Sequence, residues 1–595
     1  MVLLSAFGLI LYGQTLSYGF VLDDYLFITG NIFTKQGFAG IPDIWTHDVF
    51  TGVYGESLNR YRPLSATMFA IEYQLFPMNP FVGHFVGLVL YVLTAWLIAR
   101  IVRDFAPKGW EWISVAAALL FLAHPLHTEV VANIKSRDEI LSLLFSLLAL
   151  RQSFKPGKAA LWLSGLCFFL AMTAKESAIT FLAVIPAAHY FFQSGPNTRW
   201  YRSIPPMLVA AGLYMAMRLS FVGFADVASQ ESDVMFNPYL LATPGQHWAS
   251  LFANTGRYLR MLVYPHPLAF DYSYNQIPYS EWSQAAPWLT LLVTGGLTWF
   301  ALKHWKKRHW LSFCIFAFFA TFSVASNFVI NTGTPLADRF LYTPSVAFCL
   351  AVGWLLNRWS ETKGSAASRN VVLALLLVAG TAKTVTRNPA WKSNLSLYET
   401  DSKTSSQSAL VRMFYGLELM NRSDGGKDRA MMGQAIQELT AATQINPRFH
   451  HAWYNLGMAY QKAGMHEQAV QCFQNVLKLQ PTHINTHYSI ALSLGNGLGK
   501  PAEALPYLER LVYEFHSTES DHLCGLGILY AMMGKYDQAI RVLESGVQQH
   551  PNDANLNFNL AITYANSGQQ EKAQPYFQKA FALDPSLQQK TVPPR

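Results

Sequence analysis

The chain has 595 residues, 51% of them hydrophobic and 13% charged, with a formal net charge of +8. That is too apolar for an ordinary soluble protein, and no Arg/Lys stripe with interleaved aromatics points to nucleic acid. The five cysteines, Cys167, Cys314, Cys349, Cys472 and Cys524, are scattered without a C-x-x-C pair, which excludes a disulfide framework.

In chain order, an apolar run starts at Met1 with no basic stretch before it and no small-residue cleavage site before Asp23. It therefore reads as a retained helix, not a signal peptide. A bilayer core takes about 20 apolar helical residues. Segments meeting or approaching that lie near 1–19, 84–102, 111–123, 139–151, 159–173, 177–193, 203–220, 286–302, 310–327, 341–357 and 371–386. These are about eleven expected spans, with 111–123 and 139–151 the shortest. The cations then share one side: Arg100, Arg103 and Lys108; Arg151, Lys155 and Lys158; Arg199 and Arg202; Lys303, Lys306, Lys307 and Arg308; Arg358, Lys363 and Arg369. The positive-inside rule makes that side cytoplasmic. Loops 20–83, 124–138, 174–176, 221–285 and 328–340 are expected to face outward, as is everything after the last span.

Acid, histidine and base recur in those outward loops. Asp23-Asp24 follow the first span directly, and charge beside hydrocarbon is expensive unless solvated or functional. Arg60-Tyr61-Arg62-Pro63-Leu64 comes next, then His124-Pro125-Leu126-His127-Thr128-Glu129 with Lys135, Arg137, Asp138 and Glu139. Lys175-Glu176 and Asp338-Arg339-Phe340-Leu341-Tyr342 mark later junctions. A lipid-linked phosphosugar needs cations or His at its phosphate, and an acceptor hydroxyl needs a carboxylate base. No helical His/Glu metal motif occurs; Asp23, Asp24 and His127 are the candidate ligands should a divalent ion bind.

The chain changes character near residue 387, and a linker is expected at 391–407 before helical repeats over 408–595. Trp453, Leu456, Gly457, Tyr460, Ala469, Phe473 and Pro481 fit the ~34-residue tetratricopeptide pattern. The rhythm returns at Leu526, Gly527, Tyr530, Ala539 and Pro551, and at Leu560, Ala561, Tyr564, Ala573, Phe577 and Pro585. A degenerate unit holds Ile490, Ala491, Leu494, Ala504 and Leu508, and an earlier one Gly416, Ala435, Ala442 and Pro447, about five in all. Small residues let paired helices approach, aromatics fill the gaps, and Pro ends each pair. The expected architecture is all-α: a polytopic helical domain over 1–390 followed by an α-solenoid for a peptide or protein partner.

The ordered set Asp23-Asp24, Tyr61-Arg62-Pro63-Leu64, His124-Pro125-x-His127-Thr128-Glu129, Lys175-Glu176, Ser326-Asn327 and Asp338-Arg339-Phe340-Leu341-Tyr342, then the repeats, resembles the transmembrane and tetratricopeptide-repeat O-mannosyltransferases. The resemblance covers essentially the whole chain. It implies a GT-C membrane fold and inverting transfer of a sugar, mannose by analogy, from a polyprenyl-phosphate carrier to Ser/Thr of exported proteins. It implies Asp23 or Asp24 as the base, and Arg62, His127, Arg137, Lys175, Asp338 and Arg339 around the donor phosphate. Two departures stand out: Asp338 replaces the Glu of the family's Glu-Arg-Leu-Tyr-like motif, and Phe340 intervenes in it. The partners implied are the lipid-linked donor, an acceptor held by the repeats and membrane lipid. The chain's lack of a retention signal leans the expected setting towards a bacterial cytoplasmic membrane, with the repeats outside. A non-catalytic scaffold would not need Asp23-Asp24, and a transporter would carry more ionisable residues inside its spans.

Overall fold

The computed structural model describes all residues except 106–108, 194–199, 224–233, 236 and 592–595. Lys108 and Arg199 of the expected cytoplasmic cations lie outside the described residues. The described residues contain helices and no strand. Two compact units divide the chain, Met1–Val411 and Arg412–Arg595.

Every expected apolar segment of the first unit coincides with a helix. These are α1 (Val2–Tyr12), α3 (Pro80–Phe105), α4 (Glu111–Ala123), α5 (Arg137–Ser153), α6 (Lys158–Ala174), α7 (Phe181–Phe192), α8 (Ile204–Phe221), α10 (Ala285–Trp305), α11 (Trp310–Phe322), α12 (Ser345–Thr362) and α13 (Ala366–Arg387). The two longest helices in the loops expected to face outward are α2 (Pro63–Leu75), opened by a proline at its first turn, and α9 (Pro244–Val263). Length and composition alone qualify four segments to cross a membrane, Pro80–Phe105, Tyr201–Phe221, Ala285–Trp305 and Ala366–Lys392. Pro125 breaks a further candidate, Glu111–Ala123 with Pro125–Ala132, bent by 52°. Val2–Ser17, Lys158–Ala174, Glu176–Phe192 and Trp310–Phe322 are apolar but short of the roughly 20 residues a straight span needs.

The expected loop 221–285 is therefore not structureless. Thr243 and Gln246 form a reciprocal cap at the start of α9, the Thr243 hydroxyl accepting from the Gln246 N–H at 3.3 Å and the Gln246 amide from the Thr243 N–H at 3.0 Å. Nor is 391–407 a bare linker. Ser393 caps α14 (Asn394–Thr404), and Asp401 of that helix is buried against Arg387 at 2.5 and 2.8 Å. Asp401 also accepts from the Phe270 N–H at 2.8 Å, so α14 is built into the first unit. Small residues set the closest helix approaches: a Cβ at Gly380 would lie 2.6 Å from the Ala123 carbonyl oxygen.

The second unit begins within α15 (Ala409–Arg422), which pairs in sequence with α16 (Arg429–Ile445). Four more pairs follow: α17 (His450–Lys462) with α18 (His466–Leu479), α19 (Ile484–Leu492) with α20 (Pro501–Glu509), α21 (Ser520–Met532) with α22 (Tyr536–Gln549), and α23 (Ala554–Asn566) with α24 (Gln570–Leu583). The repeat residues sit where their pattern requires. A Cβ at Gly457 would meet the buried Phe473 ring at 2.5 Å, Ala469 is fully buried, and the Trp453 indole N–H donates to the Pro447 carbonyl at 2.9 Å. Tyr460 is half-buried in the same pair, and Pro481 follows α18.

Candidate active site

The two adjacent aspartates do different things. Leu22, just before them, has φ +52°, a left-handed backbone that costs a non-glycine residue on the order of 1–3 kcal/mol. Its N–H donates to the Asn394 side chain at 2.8 Å, which holds the turn. Asp24 then points inward. Its carboxylate, fully buried, accepts from the backbone N–H of Val21 at 2.8 Å and of Lys135 at 2.7 Å, clasping the loop after α1 to the one before α5. Burial pushes this carboxyl up to about 7 despite both hydrogen bonds. Asp23 points outward, its side chain 39% exposed, with Oδ2 3.6 Å from Lys135 Nζ. Burial would raise its pKa, but Lys135, Arg339 and Arg60 outweigh that and hold the carboxyl below its ordinary value.

From Asp23 the charges alternate. Lys135 Nζ is also 3.4 Å from Asp138, and Arg62 bonds Asp138 at 2.6 Å. The same guanidinium grips Glu176 at 2.8 and 3.2 Å. Its buried charge is satisfied by these two carboxylates, which hold the Arg62 pKa far above the ordinary value against the cost of burial. The Glu176 side chain is 41% exposed. Lys175 pairs with buried Glu139. Arg339, with a quarter of its side chain exposed, bonds Glu129 through its guanidinium at 2.5 Å and its N–H at 3.2 Å. Asp23 and Arg62 thus belong to one chain of ion pairs with Lys135, Asp138 and Glu176, and the separate pairs Lys175–Glu139 and Arg339–Glu129 act on it electrostatically. The sequence already places Glu129, Lys135, Asp138, Glu139 and Glu176 beside the candidate residues.

Three expected residues serve the fold instead. Arg137 is buried, bonded to Glu72 at 2.5 and 3.2 Å and to the Gly83 carbonyl at 2.7 Å, with Phe69 beneath it. His127 is fully buried, its Nδ1 2.8 Å from the Tyr91 hydroxyl and its Nε2 2.9 Å from the Ser345 hydroxyl. Asp338 is buried beside the Tyr272 hydroxyl at 2.9 Å, its carboxyl pushed well up by burial and by Glu129. With both His127 nitrogens engaged, Asp23, Asp24 and His127 do not form a metal site. Among the described residues no group of three or more His, Cys, Asp or Glu is placed to hold a metal ion.

Two exposed aromatics that sequence reasoning passed over, Tyr25 and Tyr54, lie near Asp23. The buried Asp48 organises the loop that carries Tyr54, accepting from Thr51, Ser57, Leu58 and Arg60 at 2.6–3.3 Å. An apolar groove opens between α3, α5, α7, α11 and α12, walled by Leu147, Val184, Phe313, Cys314 and Leu350 among others. Phe181 and Thr343 line it too, five and four residues along the chain from Glu176 and Arg339.

Tetratricopeptide-repeat models match residues 451–483 and 530–589. Relatives cover most of the chain: the protein O-mannosyl-transferase TMTC3 of Mus musculus is 24% identical over 93% of this chain and 64% of its own length. TMTC1 of Homo sapiens, of the same description, is 27% identical over 76% of this chain and 56% of its own. The chain thus spans somewhat less than two thirds of these proteins. Among solved structures, YrrB, described as a TPR protein with an unusual peptide-binding site, is 22% identical and covers 33% of this chain and 98% of its own, with a TM-score of 0.28. Over most of its length, then, the chain is related to proteins described as TMTC O-mannosyl-transferases, the family its motifs resemble.

Proposed function

We propose that this protein is a membrane O-mannosyltransferase that moves mannose from a polyprenyl-phosphate carrier to Ser/Thr hydroxyls of exported proteins. The observation that carries the reading is Asp23, a partly exposed carboxylate held ionised by Lys135, with Arg339 and Arg60 adding to the effect. The acceptor oxygen attacks the anomeric carbon while Asp23 takes its proton. The bond from that carbon to the phosphate oxygen breaks, the carrier leaves as its phosphate, and the configuration inverts. Such a base contributes about 10²–10⁴-fold. Arg339, a partly exposed cation, faces the departing phosphate charge, while Arg62 and Lys175 hold the carboxylates around it. The groove suits the apolar tail of the carrier. The repeats recruit the acceptor chain, and site and repeats work on the outward face of the membrane.

The test is mannosyl transfer from labelled polyprenyl-phosphate mannose to a Ser/Thr-rich acceptor. Asp23→Asn is expected to lower kcat by at least a hundredfold with an unchanged melting temperature. Undiminished transfer by that variant would remove Asp23 from the mechanism, and no transfer by the wild type would remove the reading itself.

A further inference from the structure

The loop between α11 and α12 ends in an apolar tip that is held out by construction. Phe328, Val329 and Ile330 are 36%, 71% and 55% exposed. The base of the loop is clasped by Asn327, itself at φ +61°. Its side chain accepts from the Thr332 N–H at 2.8 Å and the Thr332 hydroxyl at 2.9 Å, and donates to the Thr334 carbonyl at 2.9 Å. This is a structural use for the Ser326-Asn327 pair that the catalytic site leaves unexplained. Three consecutive exposed apolar side chains are costly in water and gain by leaving it.

The tip is continuous with a band of aromatics. The Phe328 ring lies 5.1 Å from Phe252 and 6.1 Å from Trp248, both on α9. Phe252 lies 5.9 Å from Trp282, which lies 5.0 Å from Trp288 at the start of α10 and accepts its indole N–H at 2.8 Å. Trp248 and Trp288 are each more than half exposed, and Leu289 and Leu292 carry the same apolar surface along α10, one of the four helices able to cross a membrane. An exposed apolar surface thus runs from a membrane-crossing helix, through a tryptophan band, to the tip. Tryptophan favours the membrane–water boundary, where its ring is in lipid and its N–H can bond.

We propose that residues 328–330, with Trp248 and Trp288, are inserted into the bilayer at the membrane–water interface, and that α9 lies along that interface. The occupant of this surface is lipid. The same loop runs on to Arg339, and α9 fastens it on the way, the Tyr258 hydroxyl accepting from the Ala337 N–H at 2.9 Å. Insertion of the tip sets the height of Arg339 relative to the lipid headgroups. This inference stands apart from the glycosyl-transfer reading.

The test is nitroxide labelling of the full chain at Val329→Cys, and separately at Ile330→Cys, in phosphatidylcholine/phosphatidylglycerol vesicles. The native cysteines are all buried, so an introduced thiol is labelled selectively. Power saturation is read against oxygen, which partitions into lipid, and a nickel chelate, which stays in water, with Glu56→Cys as the aqueous reference. The expected result is an oxygen-to-nickel accessibility ratio at 329 and 330 several-fold above that at 56. A ratio equal to that at 56 would place the tip in water, and protection from both quenchers would place it under protein; either overturns the proposal.

Discussion

Replacing Lys135 by Met should move the acid limb of transfer upward in pH. Asp23 must be ionised to accept a proton, so activity is lost as pH falls through its pKa, and Lys135 is the largest of the charges depressing that pKa. At 3.6 Å the attraction is about 1 kcal/mol when fully water-screened and about 5 kcal/mol at an effective dielectric near 20. With the Asp23 side chain 39% exposed the lower end governs, roughly 1–2 kcal/mol, or about one pH unit. Since Asp24 is held by the Lys135 backbone N–H, which the substitution keeps, the turn that carries Asp23 survives. The assay is kcat/KM for transfer between about pH 3 and 7 for wild type, Lys135→Met and Lys135→Arg. The Arg variant should keep the wild-type limb. An acid limb that stays put in Lys135→Met, or moves down, would refute the assignment of Asp23 as the base.

Asp24→Asn should behave quite differently. The amide has one acceptor oxygen for two backbone donors and would set its own N–H₂ against the N–H of Val21 or Lys135, a loss of about 1–3 kcal/mol read as a lower melting temperature. The pH dependence of stability follows the same residue. A carboxyl raised to about 7 in the fold is destabilising once ionised, so stability should fall as pH rises from about 4 through 7, and the Asn variant should lose that slope. Cys314→Trp, which puts an indole into the apolar groove, should raise KM several-fold for a long-chain donor and leave a short-chain donor nearly unaffected. Equal effects on both donors would show that the groove does not hold the tail.

The helical plan was legible because it rests on periodicity and length. Each apolar run became a helix, and the Gly457–Phe473 and Trp453–Pro447 relations followed from the repeat pattern. What stayed hidden were elements whose stabilisation is tertiary. α9 has no long apolar run, since only one face is buried and its exposed Trp248 looks unremarkable in sequence. α14 reads as a polar linker until the buried Arg387–Asp401 pair is seen. Likewise the resemblance points to Arg137 and His127 at the donor phosphate, yet their charge and ring nitrogens are spent on Glu72, Gly83, Tyr91 and Ser345.

The Asp23-Asp24 pair shows where sequence reasoning stops for a physical reason. Two identical side chains one residue apart have the same intrinsic chemistry, and only the backbone turn decides which one meets solvent. That turn depends on Leu22 in a left-handed conformation, held by Asn394, some 370 residues away in the chain. No local pattern encodes it. Once it is formed, the division of labour follows. The inward carboxyl, bonded by two backbone N–H groups, ties the loop before α5 to the first loop and so places Lys135. Lys135 in turn depresses the outward carboxyl, the proposed base. The anchor and the base are therefore coupled through one lysine, whose backbone serves the first and whose side chain serves the second. Exchanging the two roles would require the Leu22 turn to reverse, so Asp23→Asn, which leaves position 24 as the only carboxylate of the pair, should keep stability and still lose transfer.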